Sequence, residues 1–189
     1  MEITKDWLVV DLKNLIDVSE YKEEIPNEFQ TEDCPGINGV SSARYGEPRF
    51  KKLHYDVKQK IELVIGEKLY PTYYFDRFYF QNTSMDRHID REACEISVSL
   101  NISSNLKTSW PLWFDMNGEN MECHTNPGDA VLYRGMEVPH WRDKMGGDKD
   151  SYFHQIFLHY VRADGYFLEF AYDQGTTLDQ FTHEVPSPK

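Results

Sequence analysis

The feature that most constrains this chain is a succession of short, turn-separated segments of sheet-forming residues. "TYYFDRFYF", "CEISVSLNI", "SWPLWFDM", "MECHT", "DAVLYRG" and "SYFHQIFLHYV" follow one another between residues 72 and 161. Their Tyr, Phe, Val and Ile suit a pleated, half-buried surface. The linkers, "NPGD" and "KMGGDKD" among them, carry turn residues. Strands at this spacing predict a barrel or a double-sheet jelly roll. Two more short strands are expected, at "WLVV" (7–10) and "YFLEFA" (166–171).

One segment breaks the pattern. Over residues 50–66, Leu53, Val57, Ile61 and Val64 recur every three or four positions, as on one face of a helix, and Gly66 is placed to end it. The helix should pack outside the sheets. Residues 18–49 are acidic and turn-rich, so a long loop is expected there, and "HEVPSPK" reads as a polar tail.

A length of 189 residues fits a single domain over 1–189, with its core at about 69–161. The formal net charge of −12 argues against a nucleic-acid groove, which needs clustered Lys and Arg. The basic run "RFKKLHYDVKQK" (49–60) has helical spacing and reads as a solvated helix face. No signal peptide or membrane span fits "MEITKDWLVVDL", whose apolar run Asp and Lys interrupt. Cys34, Cys94 and Cys123 are too few and too scattered for a disulfide framework. A cytoplasmic chain with reduced thiols and no membrane partner is expected.

The chemistry begins at "RHIDREACEISVSL". His88 and Asp90 lie two apart, so an extended backbone puts both side chains on one face. A third ligand should come from a distant strand. Among the histidines, His140 stands out in "PGDAVLYRGMEVPHWR", where a turn opens an apolar strand and the histidine follows an interruption. His54 falls in the helix and His183 in the tail; both are read as structural or solvent-exposed, while His124 could face either way. His154 and His159, five apart, fall on opposite strand faces and read as hydrogen-bonded barrel residues. Two imidazoles and one carboxylate cover a single triangular face of an octahedral ion, which leaves positions open and suits Fe(II). A structural zinc site would close four positions, usually with thiolates.

Taken together, "RFYFQNTSMDRHIDREACEISVSL", "WPLWF", "PGDAVLYRGMEVPHWR" and "FLHYV" resemble the iron(II)/2-oxoglutarate-dependent dioxygenases, and within them the prolyl-4-hydroxylase-like branch. The resemblance covers residues 69–161. It implies a mainly-β double-stranded β-helix with a flanking N-terminal α-helix. It also implies that His88, Asp90 and His140 hold Fe(II), that 2-oxoglutarate and O2 are consumed, and that succinate and CO2 are released. The substrate would be a small molecule, amino acid or peptide side chain, hydroxylated at an unactivated C–H.

The far carboxylate of 2-oxoglutarate needs a cation or several donors. Family members place a basic residue shortly after the distal histidine. This chain departs from that pattern, because "GGDKDSY" offers only Lys149, in an apparent turn. Tyr79, nine residues before His88, matches a family tyrosine near the cosubstrate. Arg77 shares its strand face and could supply the cation, or could pair with one of the 32 acidic residues. Gln155 could donate from the last strand, and Arg134 is a further candidate contact. Arg91 and Glu95 read as strand-surface charges or as supports for Asp90. Trp110, Trp113, Tyr133 and Trp141 could line a substrate mouth or pack the core. Two other readings of the chain stand beside the dioxygenase: a cupin-like jelly-roll metalloprotein of another reaction class, and a non-catalytic binding module on the same fold.

Overall fold

The computed structural model describes residues 5–25 and 36–172. In chain order the elements are β1 (Val9–Leu12), β2 (Ile37–Asn38), β3 (Ser41–Tyr45), α1 (Lys51–Ile65), β4 (Leu69–Phe80), β5 (Ser84–His88) and β6 (Ile96–Ser104). They continue with β7 (Leu112–Met116), β8 (Glu119–Cys123), β9 (Ala130–Tyr133), β10 (His140–Arg142) and β11 (Tyr152–Arg162). The strands form two sheets, ordered β1-β9-β6-β11-β4-β3 and β2-β5-β10-β7-β8, and the pairings are antiparallel. This is the expected jelly roll with a flanking helix.

Side-chain alternation gives the larger sheet two different faces. On β6, Ile96, Val98, Leu100 and Ile102 join the cluster that includes Phe50, Leu53, Val57 and Ile61 from the helical segment. The intervening Ser97, Ser99, Asn101 and Ser103 are buried too, on the opposite face. Along β11, Ile156, Leu158 and Tyr160 meet the helix cluster, while Phe153 and Phe157 belong to a separate cluster with Tyr79 and Trp110. One face is therefore the hydrophobic core, and the other lines the space between the sheets.

The helix forms where the periodicity placed it. Pro48, whose missing N–H suits a helical start, opens a 3-10 turn at Pro48–Phe50 that runs into α1. Gly66 ends the helix at φ 71°, a left-handed conformation that costs glycine little, and its N–H donates to the Glu62 carbonyl.

Three expectations need correction. The first strand lies slightly later than "WLVV", at Val9–Leu12. Residues 18–49 are not one loop: they contain a 3-10 turn at Ser19–Tyr21, then β2 and β3. The segment "SSARY" has no apolar alternation to betray it, and it becomes a strand by pairing from Ser41 opposite Tyr79 to Tyr45 opposite Phe75. "YFLEFA" is not a strand but holds a 3-10 turn at Leu168–Phe170. With Tyr166 96% exposed, it has neither a ladder partner nor a core to bury against. Residues 26–35, Cys34 among them, and the tail with His183 lie outside the described residues.

An ion network ties residue 23 to the sheet on the helix side. Asp76 and His154 are fully buried and bonded, Nε2 to Oδ2 at 2.8 Å, and Arg44 bridges Asp76 to Glu23. A buried carboxylate survives only with such partners.

Packing of α1 against the sheet should dominate its contribution to stability. Ile61 is fully buried and Leu63, two residues on, is 87% exposed. Ile61→Ala should lower unfolding free energy by about 2–5 kcal/mol, and Leu63→Ala by no more than about 0.5 kcal/mol. Urea denaturation of the two variants checks this; equal midpoints would mean the helix does not dock as described.

Candidate metal centre

Backbone pairing brings the three predicted ligands together. His88 closes β5, and His140 opens β10 directly opposite it in the ladder. Their ring centroids lie 4.3 Å apart. Asp90 sits two residues past His88, and its N–H donates to the Gly135 carbonyl at 2.9 Å. Asp90 Oδ1 is 3.7 Å from His88 Nε2 and 3.6 Å from His140 Nε2. The ligand atoms all fall within 4.8 Å of one another.

Both imidazoles have their tautomer set by a carbonyl. His88 Nδ1 bonds the Asp86 carbonyl at 2.8 Å, and His140 Nδ1 bonds that of Val138 at 3.0 Å. A carbonyl only accepts, so each Nδ1 carries the proton and each Nε2 presents a bare lone pair to Asp90 Oδ1. Burial keeps the His140 pKa below the usual histidine value. The donor set is two neutral nitrogens and one carboxylate oxygen on one side of a shared point. That fits a divalent metal such as Fe(II), with positions left open.

Beside the trio lies a cavity of about 250 Å³. Its wall includes Arg77, Tyr79, Tyr133, Phe75, Phe157 and His159. Arg77 is buried, donates from Nη1 to Ser41 Oγ at 2.9 Å, and lies 5.9 Å from the Tyr79 ring. Among the described residues no carboxylate pairs with it. Of the two readings of Arg77, the salt-bridge one has no partner among the described residues.

The other candidates are placed elsewhere. Gln155 sits opposite Arg77 in the β4–β11 ladder, but both ends of its amide are engaged. It accepts from Arg142 Nη2 at 2.7 Å and donates to Ser99 Oγ. Lys149 stands exposed in the turn before β11. Arg134 pairs with Glu137 and donates to the Lys5 carbonyl. Glu95 accepts from Arg162 rather than supporting Asp90, and Arg91 lies over the Tyr73 ring at 4.7 Å. Of the aromatics, Tyr133 reaches the cavity and Trp110 packs the core. Trp113 and Trp141 stack on each other at 6.1 Å, and neither lines the cavity beside the trio.

Two residues, Ser97 and Arg142, escaped the sequence reading, and His159 has the barrel role expected of it. Ser97 Oγ lies 3.0 Å from Asp90 Oδ2 and 3.0 Å from His159 Nδ1, so His159 is a barrel histidine one hydroxyl away from the metal trio. Arg142 lies buried between the Trp110 and Phe153 rings, at 4.5 and 4.9 Å. Its Nη1 donates to the Trp110 carbonyl at 2.5 Å, and burial lowers its pKa to about 10. Alternation counted from His140 would have turned Arg142 inward, and counted from Ile96 would have done the same for Ser97.

No protein-family model and no curated protein sequence matches the chain. Solved structures do match it in three dimensions. A 2OG-Fe(II) oxygenase family oxidoreductase from Burkholderia pseudomallei is similar at TM-score 0.64 and 11% identity, over 83% of this chain and 86% of that one. HygX from Streptomyces hygroscopicus, solved with nickel, 2-oxoglutarate and hygromycin B, is similar at TM-score 0.65 and 9% identity, covering 82% and 83%. A prolyl hydroxylase from Trichoplax adhaerens, in complex with a hypoxia inducible factor peptide fragment, is similar at TM-score 0.57 and 14% identity, covering 80% and 83%. The chain thus has the double-stranded β-helix fold of the 2OG-Fe(II) oxygenases, prolyl hydroxylases included. Among the described residues no helix is long and apolar enough to cross a membrane.

Histidine burial predicts a pH dependence. Burial lowers the pKa of His154, and that of His159 to about 4. Below about pH 6.5 the unfolded chain therefore takes up protons that the folded one refuses, so stability falls as pH drops. For His159 the loss runs down to about pH 4, at no more than about 1.4 kcal/mol per pH unit. Metal-free protein should show a lower urea midpoint at pH 5 than at pH 7, and His159→Gln should flatten that slope. Parallel slopes in the two proteins would show that His159 titrates normally.

Proposed function

We propose that the protein is an Fe(II)- and 2-oxoglutarate-dependent dioxygenase that hydroxylates an unactivated C–H of a small molecule, amino acid or peptide side chain. The observation that carries this reading is the juxtaposition of His88, Asp90 and His140 with a buried Arg77, unpaired by any carboxylate among the described residues, on one 250 Å³ cavity. His88, Asp90 and His140 hold the iron. When bound, iron and 2-oxoglutarate supply the O2 chemistry, with succinate and CO2 as co-products. The nickel and 2-oxoglutarate in HygX and the peptide on the Trichoplax enzyme support this cofactor set and substrate range.

The chain's own contribution is placement and dryness. Arg77 presents a forked donor for the far carboxylate of the cosubstrate, and Tyr79 borders the same wall. Gln155 steadies that wall from β11 through Ser99 and Arg142, and Lys149 remains outside it. Phe75 and Phe157 stack at 4.7 Å and keep that side apolar, which strengthens electrostatic contacts inside. Cys94 and Cys123, buried and not in a disulfide, support a reducing, cytoplasmic setting. The acidic surface speaks against a nucleic-acid partner.

Anaerobic addition of 2-oxoglutarate to Fe(II)-loaded protein should raise a weak visible charge-transfer band, and candidate substrates should be screened by succinate release. Iron binding without a band would transfer support to the cupin-like reading, and a band without turnover of any candidate to the binding module. His140→Ala should abolish iron binding and succinate formation. Arg77→Ala removes a buried charge-assisted contact of about 1.5–3 kcal/mol, so half-saturation of the band should need about 10–100-fold more 2-oxoglutarate. An unchanged requirement would remove Arg77 from the cosubstrate site.

A further inference from the structure

We propose that Ser97 and His159 form a hydrogen-bond chain of fixed direction onto Asp90, and that this chain holds Asp90 as a one-oxygen metal ligand. The inference rests on the reading of His88, Asp90 and His140 as a metal site and deepens it.

The direction follows from counting protons. Ser97 has one hydroxyl proton and four neighbours: Asp90 Oδ2 at 3.0 Å, His159 Nδ1 at 3.0 Å, the Cys94 carbonyl at 3.2 Å and the Tyr133 side chain, whose own O–H can donate to Ser97 Oγ. An ionised carboxylate is the strongest acceptor of the four and is itself unable to donate. The hydroxyl therefore points at Asp90, and Ser97 Oγ accepts from His159 Nδ1–H. His159 Nε2 is then proton-free. The reverse tautomer would bury an N–H at Nε2, which has no partner, and orphaned buried N–H groups are rarer than orphaned acceptors.

The surroundings hold the chain in place. His159 is buried, with its ring 4.7 Å from that of Tyr73. Its carbonyl accepts from His54 Nε2 at 3.0 Å, which ties it to α1. A side chain at Gly135 would overlap Asp90 Oδ2, the Cys94 carbonyl and Ser97 Oγ, so glycine leaves room for these groups. The consequence falls on the carboxylate. Oδ1 faces both imidazoles, while Oδ2 is committed to Ser97. Two-oxygen coordination would compete with the Ser97 bond for the electron density and orientation of Oδ2, and would use a position that a cosubstrate, O2 or substrate needs.

Two measurements on the full chain test this. In metal-free, ¹⁵N-labelled protein at pH 7, long-range ¹H–¹⁵N correlations should show His159 neutral and protonated at Nδ1. A proton on Nε2 would overturn the chain. In the second, Co(II) serves as a spectroscopic probe. Ser97→Ala should weaken Co(II) binding about 10–100-fold and change its visible ligand-field spectrum, whereas Ser97→Thr, which keeps a hydroxyl, should restore both. Wild-type affinity and spectrum in Ser97→Ala would overturn the proposal while leaving the metal site intact. A wild-type protein that binds no Co(II) would overturn the metal reading along with it. Should Ser97→Ala fail to fold, the His159 tautomer in the unaltered protein still decides.

Discussion

Everything at the candidate metal centre depends on one cross-strand pairing, His88 opposite His140 where β5 meets β10. Side chains alternate along a strand, so a slip of one residue would turn one imidazole out of the inter-sheet space. The register is held by neighbours on both sides. Phe114 of β7 lies opposite His140 from the other edge, and Arg142 is buried two residues on. A three-residue strand has few hydrogen bonds of its own, and its position is set by two inward side chains and two flanking strands. The placement of the two imidazoles is thus a product of sheet assembly, while Asp90, just past the end of β5, is held by the Gly135 carbonyl.

The larger sheet solves a second problem by dividing labour between its faces. The face towards α1 is apolar and supplies most of the core. The inner face of β6 carries Ser97, Ser99, Asn101 and Ser103, which an ordinary hydrophobic sandwich would not tolerate unless bonded. Ser97 and Ser99 find partners in His159 and Gln155 of β11. Hydroxyls of this size leave space between the sheets while fixing the orientation of larger polar groups. The polar inner face therefore belongs to the function, and the helix-side face makes it possible to keep.

How much of this was readable in the chain follows from how local each signal is. The His-x-Asp pair, the distal histidine and the helix show in short windows, because His88 and Asp90 are two residues apart at the end of β5 and α1 has a clean period. Ladder position is different. The strand "SSARY" is made by β4, and nothing in its own five residues demands it. Gln155 was correctly expected on the last strand but is committed to Arg142 and Ser99, which only the assembled sheets reveal. The chain Asp90–Ser97–His159 spans 62 residues between its serine and its histidine, a separation at which single-sequence patterns carry no information.

Arg77 and Arg142 raise the sharpest energetic question. A chain with net charge −12 has ample carboxylates, yet among the described residues neither of these buried guanidiniums is paired with one. Arg142 is stabilised instead by two aromatic faces, a carbonyl and the Gln155 oxygen, a neutral shell that only partly offsets desolvation and lowers its pKa to about 10. Arg77 has a serine hydroxyl and a place on the cavity wall. A buried cation without a counter-charge is costly to keep, and an internal Asp or Glu beside Arg77 would have relieved that cost while closing the site to anions. An anionic guest gains most where the protein has left the positive charge uncompensated. On this argument the Arg77 wall of the cavity supports the proposed contact with a carboxylate-bearing ligand.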